Sequence, residues 1–289
     1  MNFEQFMEQA WSTHGDNAYA VGEQLKGART LLTQSPQVAA LARILEHVLG
    51  EHLGDWSSAQ SELALLRQHP LCQDDPQALS AVRVAQAALS LAQGLVPEGA
   101  KLTDEERVRA LATASAICLG RGELGNASDL LALCLKLVAL LPPGSAGFQR
   151  SLAVAANNLA CALGELKLRS EEQVDQMIQA AQAARQCWQQ AGTWLEIQRA
   201  EYVLAKSFLR AGKIPQAASH AVECLNLCRA NDAAPFELFF AHEMAALSAQ
   251  ALGYGAAFEA ARQSALQAFV ALDAQVQAAC QAERDALLA

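Results

Sequence analysis

The chain has 289 residues, of which 52% are hydrophobic and 18% charged, so it is long and apolar enough to bury a continuous core. Its formal net charge of −9 argues against nucleic-acid binding, because a protein that binds phosphates needs a basic face. The acidic N-terminus lacks the features of a secretory signal, and no apolar run approaches the roughly 18 residues of a membrane span. We therefore expect a cytoplasmic protein with no membrane association, whose eight cysteines are buried thiols.

Capping residues and chain breakers predict about fourteen helices, and strand signals are nearly absent. Ser35-Pro36 and Asp75-Pro76 each place a capping side chain before a proline at the first helical position. The segment from Thr103 to Glu106 has the spacing of a capping box. The predicted helices, in chain order, cover residues 2–14, 16–33, 36–53, 55–69, 76–95, 103–121, 123–141, 148–167, 171–191, 194–211, 214–230, 235–252, 255–272 and 274–288.

The composition does not change along the chain in a way that separates domains. No Gly/Ser linker, proline-rich tract or long charge run divides it, so residues 1–289 are predicted to form one elongated domain. Two loops rich in proline and glycine, 94–102 and 141–147, are the points at which we expect the stack of helices to bend.

A short turn built on glycine recurs along the chain, each time ending one apolar-periodic stretch and opening the next. Small residues follow these glycines at fixed distances, where two helices have to touch. Because one such unit cannot bury its own apolar stripe, the units must stack on their neighbours, which predicts a helical solenoid with an extended binding surface. The turn glycines are Gly15, Gly54, Gly122, Gly212 and Gly253. Five positions later stand Ala20, Ala59, Ala127 and Ala217, with Phe258 the exception, and twelve positions later stand Gly27, Leu66, Cys134, Cys224 and Ala265.

This pattern resembles the tetratricopeptide repeat (TPR) family, in which a helix ends in glycine, an acidic or aromatic residue follows, and an alanine closes the helix pair. The resemblance is best around Gly122 and Gly212. It implies an all-α fold, a right-handed TPR-like α-α superhelix of about seven antiparallel helix pairs. It also implies a protein that binds other proteins. No constellation of catalytic residues is found in the sequence, so we expect no enzyme activity and no cofactor.

The resemblance further implies that the first helix of each pair lines a concave groove. The polar residues that this places in the groove are Asn157, Asn158, Arg199, Tyr202, Lys206, Arg210 and Glu243. Amides and cations there would hold the backbone and carboxylates of an extended peptide or a helix of a partner protein. The apolar anchors would come from Tyr202, Phe208, Phe239 or Phe240. Two alternatives stay open: a regulatory array that senses a small ligand, and a structural module that forms a homo-oligomer.

Two histidine and cysteine patterns resemble sets of metal ligands, but we expect no metal site. His220, Cys224 and Cys228 share one helix face, but eight residues of helix span about 12 Å, too far to close on one ion. His47 and His52 lie five residues apart, roughly 140° around an α-helix, so they are expected to diverge.

Overall fold

The computed structural model describes residues 1–97, 101–142 and 145–288, and in those residues every regular element is a helix. The all-α fold class is therefore confirmed. Residues 98–100 and 143–144, which belong to the two loops where a bend is predicted, lie outside the described residues. None of the described helices is both long and apolar enough to cross a membrane.

The chain divides into two compact units, Met1–Ala155 and Ala156–Ala289. In the first unit, neighbouring helices pack in succession, with α6 on α7 and α7 on α8, while α3 packs on α6. Its helices are α1 (Phe3–Thr13), α2 (Ala18–Leu25), α3 (Ser35–Leu45), α4 (Trp56–Arg67), α5 (Pro70–Gln73), α6 (Pro76–Ala92), α7 (Asp104–Gly120) and α8 (Leu124–Val138), with a 3-10 turn at Ala28–Leu31 and a π-helical segment at Glu46–His52.

The division falls within α9 (Gln149–Glu165), and the second unit continues with seven more helices. Here too each helix from α10 to α13 packs on the next one along the chain, and α11 also contacts α13. These helices are α10 (Glu171–Ala191), α11 (Trp194–Arg210), α12 (Ile214–Ala230), α13 (Pro235–Ala251), α14 (Gly255–Val270), α15 (Ala274–Ala279) and α16 (Gln281–Leu288).

The same turn joins three of these helix pairs. Gly122, Gly212 and Gly253 have φ values of 77°, 70° and 77°, a left-handed conformation that costs glycine nothing and other residues about 1–2 kcal/mol. The amide after each glycine donates to the carbonyl five residues before it, which satisfies one of the last carbonyls of the helix. Gly94 makes the same turn with a φ of 73°, although the sequence pattern did not include it.

Three of the four alanines that stand five residues after a turn glycine are buried, as the repeat predicts, whereas Ala20 is only half-buried. Ala59, Ala127 and Ala217 are all 0% exposed. Cys134 and Cys224 stand twelve residues after their glycines, and each Sγ donates to a backbone carbonyl 26 residues earlier, at 3.4 and 3.6 Å. Two segments of the chain that lie far apart in sequence thus have the same internal packing.

The π-helical segment Glu46–His52 lies between α3 and the turn at Gly54, and it overturns one expectation. In a π-helix each amide donates to the carbonyl five residues back, as the amide of Leu53 does to Val48 at 3.1 Å. This wider turn brings residues five apart to the same side, and the Nε2 atoms of His47 and His52 lie 3.2 Å apart. The expectation that these histidines diverge was wrong, because the 100° per residue of an α-helix does not hold here.

Other element boundaries differ from the predicted ones at three places. The predicted helix 16–33 stops at Leu25, and the chain continues as a 3-10 turn. The short helix α5 was not predicted; it begins at Pro70, whose fixed φ suits a first helical position. The predicted last helix is interrupted at Cys280, so that α15 and α16 are separate.

Candidate interaction face

The helices α11 and α13 and the part of α9 that belongs to the second unit carry the residues that the sequence predicts for a binding groove. On α11, Tyr202, Lys206 and Arg210 follow one another at intervals of four residues, so they lie on one side of the helix. Arg199, three residues before Tyr202, extends this row. We use the name α11 face for these four residues, the residues that they contact on α9 and α13, and Phe236 of α13, which packs on Phe240.

The two cations at the end of the row are paired with a carboxylate of α9. Lys206 Nζ lies 3.8 Å from Glu165 Oε1, and Arg210 Nη2 lies 2.9 Å from the same oxygen. The hydrogen bond from Arg210 and the charges around it lower the pKa of Glu165. A Cβ at Gly164 would collide with Nη1 of Arg210, so glycine leaves the room that this arginine needs. Both predicted cations are thus partly neutralised within the chain.

Arg199 makes a separate ion pair with α13. Its Nη2 lies 2.7 Å from Oε1 of Glu237, whose side chain is largely buried. The Arg199 side chain itself is 56% exposed. A guanidinium has five N–H donors, so Arg199 can hold Glu237 and still bind a second carboxylate from solvent.

Glu243 lies beneath Tyr202 and supports it. The Tyr202 hydroxyl donates to Glu243 Oε2 at 3.2 Å, and Glu243 is only 3% exposed. Burial, partly offset by the charge of Lys206, raises the pKa of Glu243 to about 7. Burial also raises the pKa of Tyr202 above its ordinary value. Glu243 was predicted to line the groove, but its carboxylate faces the interior, where it fixes the position of Tyr202.

The aromatic residues of the face differ in part from those predicted. Tyr202 and Phe240 pack edge to face with ring centroids 5.3 Å apart, and Phe236 continues the row, 4.9 Å from Phe240. Phe236 is 37% exposed. Phe239 and Phe208, both predicted as candidate anchors, are buried, so neither can contact a partner.

The two asparagines of α9 lie at the edge of this arrangement. Asn157 is half-buried, and its side-chain nitrogen donates to Oδ1 of the exposed Asn158 at 3.5 Å. Asn157, Cys161 and Glu165 recur every four residues and share one side of α9. The charges of Lys206 and Arg210 lie close enough to Cys161 to act on the pKa of its thiol, so this side of α9 faces α11.

Sequence reasoning missed Glu165, Glu237 and Phe236. All three lie on helices that pack beside α11, and nothing in the local pattern says which acidic residue each cation will meet. One signal could have identified Phe236. It stands four residues before Phe240 and seven before Glu243, a spacing that places all three on a single side of α13.

His220, Cys224 and Cys228, weighed in the sequence as metal ligands, have other roles. His220 Nδ1 lies 2.6 Å from Oε2 of the buried Glu201, which also accepts from Arg185. Burial alone would raise the pKa of Glu201, but the hydrogen bonds from His220 and Arg185 lower it. Cys224 and Cys228 are buried and 0% exposed. Among the described residues, the group that brings three ligand atoms together is a different one, His14, His47 and His52.

An open cavity of about 830 Å³ lies in the first unit, beside α4 and α6. Its lining includes the side chains of two serines and three glutamines, and the side chain of Gln60 donates to the backbone oxygen of Gln86 at 2.9 Å. Asp55 is occupied as the cap of α4, where it accepts from the amide of Ser58. This lining contains no pairing of an acid and a base suited to proton transfer. The lining residues include Gly54, Trp56, Arg67, Ser90, Gln93 and Val96.

No protein-family model matches the chain, and no curated protein matches it. Among solved structures, the crystal structure of BtubC (BKLC) from P. vanneervenii is similar over 94% of this chain and 92% of that chain, with a TM-score of 0.52. The two sequences are 16% identical. At this identity, the similarity concerns the all-helical fold alone.

Proposed function

We propose that this chain is a non-enzymatic interaction module that binds a segment of another protein at the α11 face. We also propose that its helix pairs stack as a TPR-like solenoid. The eight cysteines are all thiols, which fits a reducing compartment such as the cytoplasm.

The solenoid proposal is supported by structural repetition. The turns at Gly122 and Gly212 share their φ values and their hydrogen bonds. Cys134 and Cys224 stand at the same distance from these turns and bond to carbonyls at the same separation. Local units that repeat in this way are typical of stacked helical arrays, whose surfaces commonly bind extended partners.

The observation that carries the binding proposal is the aromatic row of Tyr202, Phe240 and the partly exposed Phe236, beside the ion pair of Arg199. Rigid aromatic rings with an exposed edge, next to an arginine with spare donors, are the residue types that dominate binding energy at protein interfaces. The buried Glu243 holds Tyr202 in place, so the row needs little reordering when a partner binds.

The charges on the face limit the chemistry of the partner. Arg199, Lys206 and Arg210 are matched by Glu165 and Glu237, so the face does not select a highly acidic segment. We therefore propose a partner segment with an apolar side chain for Phe236 and Phe240 and one carboxylate for Arg199.

The paired charges also change how the proposal is tested. Arg199→Glu with Lys206→Glu, the natural test from the sequence alone, would set new carboxylates against Glu237 and Glu165 and would disturb packing as well as binding. Phe236→Ser and Arg199→Gln remove the contacting groups without adding a charge.

The experiment selects binders from a displayed library of random peptides and measures their affinity for purified variants. We expect peptides that bind the wild type and lose at least about 10-fold in affinity with Phe236→Ser and with Arg199→Gln. Tyr254→Ser is the matched control, because Tyr254 is an exposed aromatic at the turn before α14. Peptides that bind all variants equally would contradict the proposal. Light scattering over a range of protein concentrations separates it from self-association.

A further inference from the structure

We propose that His14, His47 and His52 form a binding site for one divalent transition-metal ion of the Zn²⁺ class. His14 lies directly after α1, and the other two histidines belong to the π-helical segment. One ligand atom from each of the three residues lies within 4.8 Å of the others. The ion would join the end of the first helix to a segment more than thirty residues further along the chain.

The distances between the nitrogens suit a shared ion. Nε2 of His47 lies 3.1 Å from Nε2 of His14 and 3.2 Å from Nε2 of His52. Three nitrogens bound tetrahedrally to Zn²⁺ at about 2.0–2.1 Å lie roughly 3.3–3.4 Å apart. The two measured contacts are therefore close to that geometry. His52 is exposed, so rotation of its side chain can bring its nitrogen into the remaining position.

Hydrogen bonds at the other ring nitrogens orient two of the ligands. His14 Nδ1 lies 2.8 Å from the backbone oxygen of Trp11, and His47 Nδ1 lies 2.9 Å from Oε2 of Glu51. A carbonyl oxygen and a carboxylate can only accept, so each Nδ1 carries a proton. In the neutral rings, both Nε2 atoms therefore present lone pairs to each other. A cation between them, either a metal ion or a proton, makes this contact favourable, and a carboxylate or carbonyl behind a histidine is the usual support of a metal ligand.

Glu51 is itself held in place by α7. A Cβ on Gly120, the last residue of α7, would overlap the Glu51 carboxylate. Arg121, which follows it, donates to the backbone oxygens of Gly50 and Glu51 at 3.3 and 3.2 Å. The supporting carboxylate therefore packs against the end of α7, and Arg121 holds the backbone that carries it.

The ligand set indicates which kind of ion the site prefers. Three neutral imidazoles suit Zn²⁺, Cu²⁺ or Ni²⁺ and are a poor match for Mg²⁺ or Ca²⁺, which prefer oxygen. His14 and His47 are half-buried and His52 is exposed, so an ion can enter from solvent and keep a fourth position for water.

The test is a calorimetric titration of the EDTA-treated full-length chain with Zn²⁺ alone, in a reducing buffer. We expect one ion per chain, and we expect Co²⁺ to show the visible absorption of tetrahedral coordination. If the wild type binds no stoichiometric Zn²⁺, the proposal is overturned, and a proton closes the contact between the imidazoles instead.

Substitutions locate the ion, with folding checked by circular dichroism. His14→Gln, His47→Gln and His52→Gln should each weaken Zn²⁺ binding at least about 10-fold. His242→Gln is the control, because this histidine of α13 lies outside the group, and its affinity should equal that of the wild type. Binding that survives all three ligand substitutions would place the ion elsewhere, for example on thiols, and would refute the site.

Glu51→Gln keeps all three imidazoles and tests the site even if a ligand variant does not fold. It removes the carboxylate behind His47, so we expect Zn²⁺ affinity to fall about 10–100-fold while the helical content is unchanged. An unchanged affinity would contradict the role that we assign to Glu51.

Discussion

The Tyr202 hydroxyl on α11 donates a hydrogen bond to the buried carboxylate of Glu243 on α13, at 3.2 Å. This contact joins two helices whose exposed sides carry the proposed binding residues. It also places an ionisable group where water cannot solvate it, which makes the second unit sensitive to pH.

We predict that the wild type becomes less stable as the pH rises from 5 to 8, and that Glu243→Gln loses less stability over the same range. The pKa of Glu243 is about 7 in the folded chain and 4.5 by its ordinary value, so the folded state holds a proton that the unfolded state releases. The contribution of the Glu243 carboxyl to the free energy of unfolding is therefore full below pH 4.5. It is lost as the pH rises through 7, a change of about 3 kcal/mol. Glutamine cannot titrate and still accepts from Tyr202.

Urea unfolding at pH 5 and pH 8 measures this difference. Glu223→Gln, an exposed carboxyl on α12, is the control and should behave as the wild type does. The same pH dependence in Glu243→Gln and in the wild type would show that Glu243 is already ionised at pH 5.

We predict that Ala217→Glu and Ala127→Glu each destabilise the chain by more than about 3 kcal/mol. Both alanines are 0% exposed where two helices touch, so a carboxylate there would be buried without a partner. Ser219→Glu, two residues further on α12 and exposed, should change stability by less than about 0.5 kcal/mol. Thermal unfolding followed by circular dichroism distinguishes these outcomes. Equal stability of Ala217→Glu and Ser219→Glu would refute the alignment of the repeats.

We predict that Gly212→Ala costs about 1–2 kcal/mol, because its φ of 70° is unfavourable for a residue with a Cβ. Gly125→Ala is the matched control. Gly125 lies in the first turn of α8 with open space around it, so alanine there should be neutral or slightly stabilising. Chemical denaturation gives both values. A loss at position 125 that equals the loss at 212 would mean that backbone conformation is not the cause.

We predict that Gly120→Ala weakens Zn²⁺ binding about 10-fold or more, although alanine is normally the better residue in a helix. The new Cβ would displace the Glu51 carboxylate from His47. Calorimetry with Zn²⁺ measures the change, and Gly125→Ala again serves as the control. If Gly120→Ala binds Zn²⁺ as the wild type does, then Glu51 can move without loss of the site.

The sequence predicted most of the helices because their ends carry local signals. The capping box of Thr103 and Glu106 begins α7 as expected, and the glycine at 122 ends it with a positive φ. The buried positions of Ala127 and Ala217 follow from the same repeat. These features depend on residues within one or two turns of each other, which is the range that a single sequence reveals.

The rest depends on contacts between distant segments. The π-helical segment could not be predicted, since a period of 3.6 residues was assumed where the backbone adopts a wider turn. That assumption separated His47 from His52, and it gave no reason to connect either of them with His14. Likewise, the row on α11 was predicted from the resemblance to TPR helix pairs, but its partner Glu165 lies on another helix.

The most direct test of the interaction module is photocrosslinking at the α11 face. Benzoyl-phenylalanine replaces Phe236 in one sample and Tyr254 in a second, and each is irradiated with a peptide selected by the wild type. We expect covalent adducts from position 236 and none from position 254, although Tyr254 is the more exposed of the two, at 61% against 37%. Adducts at 254 alone, or equal yields at both positions, would contradict a binding site at the α11 face.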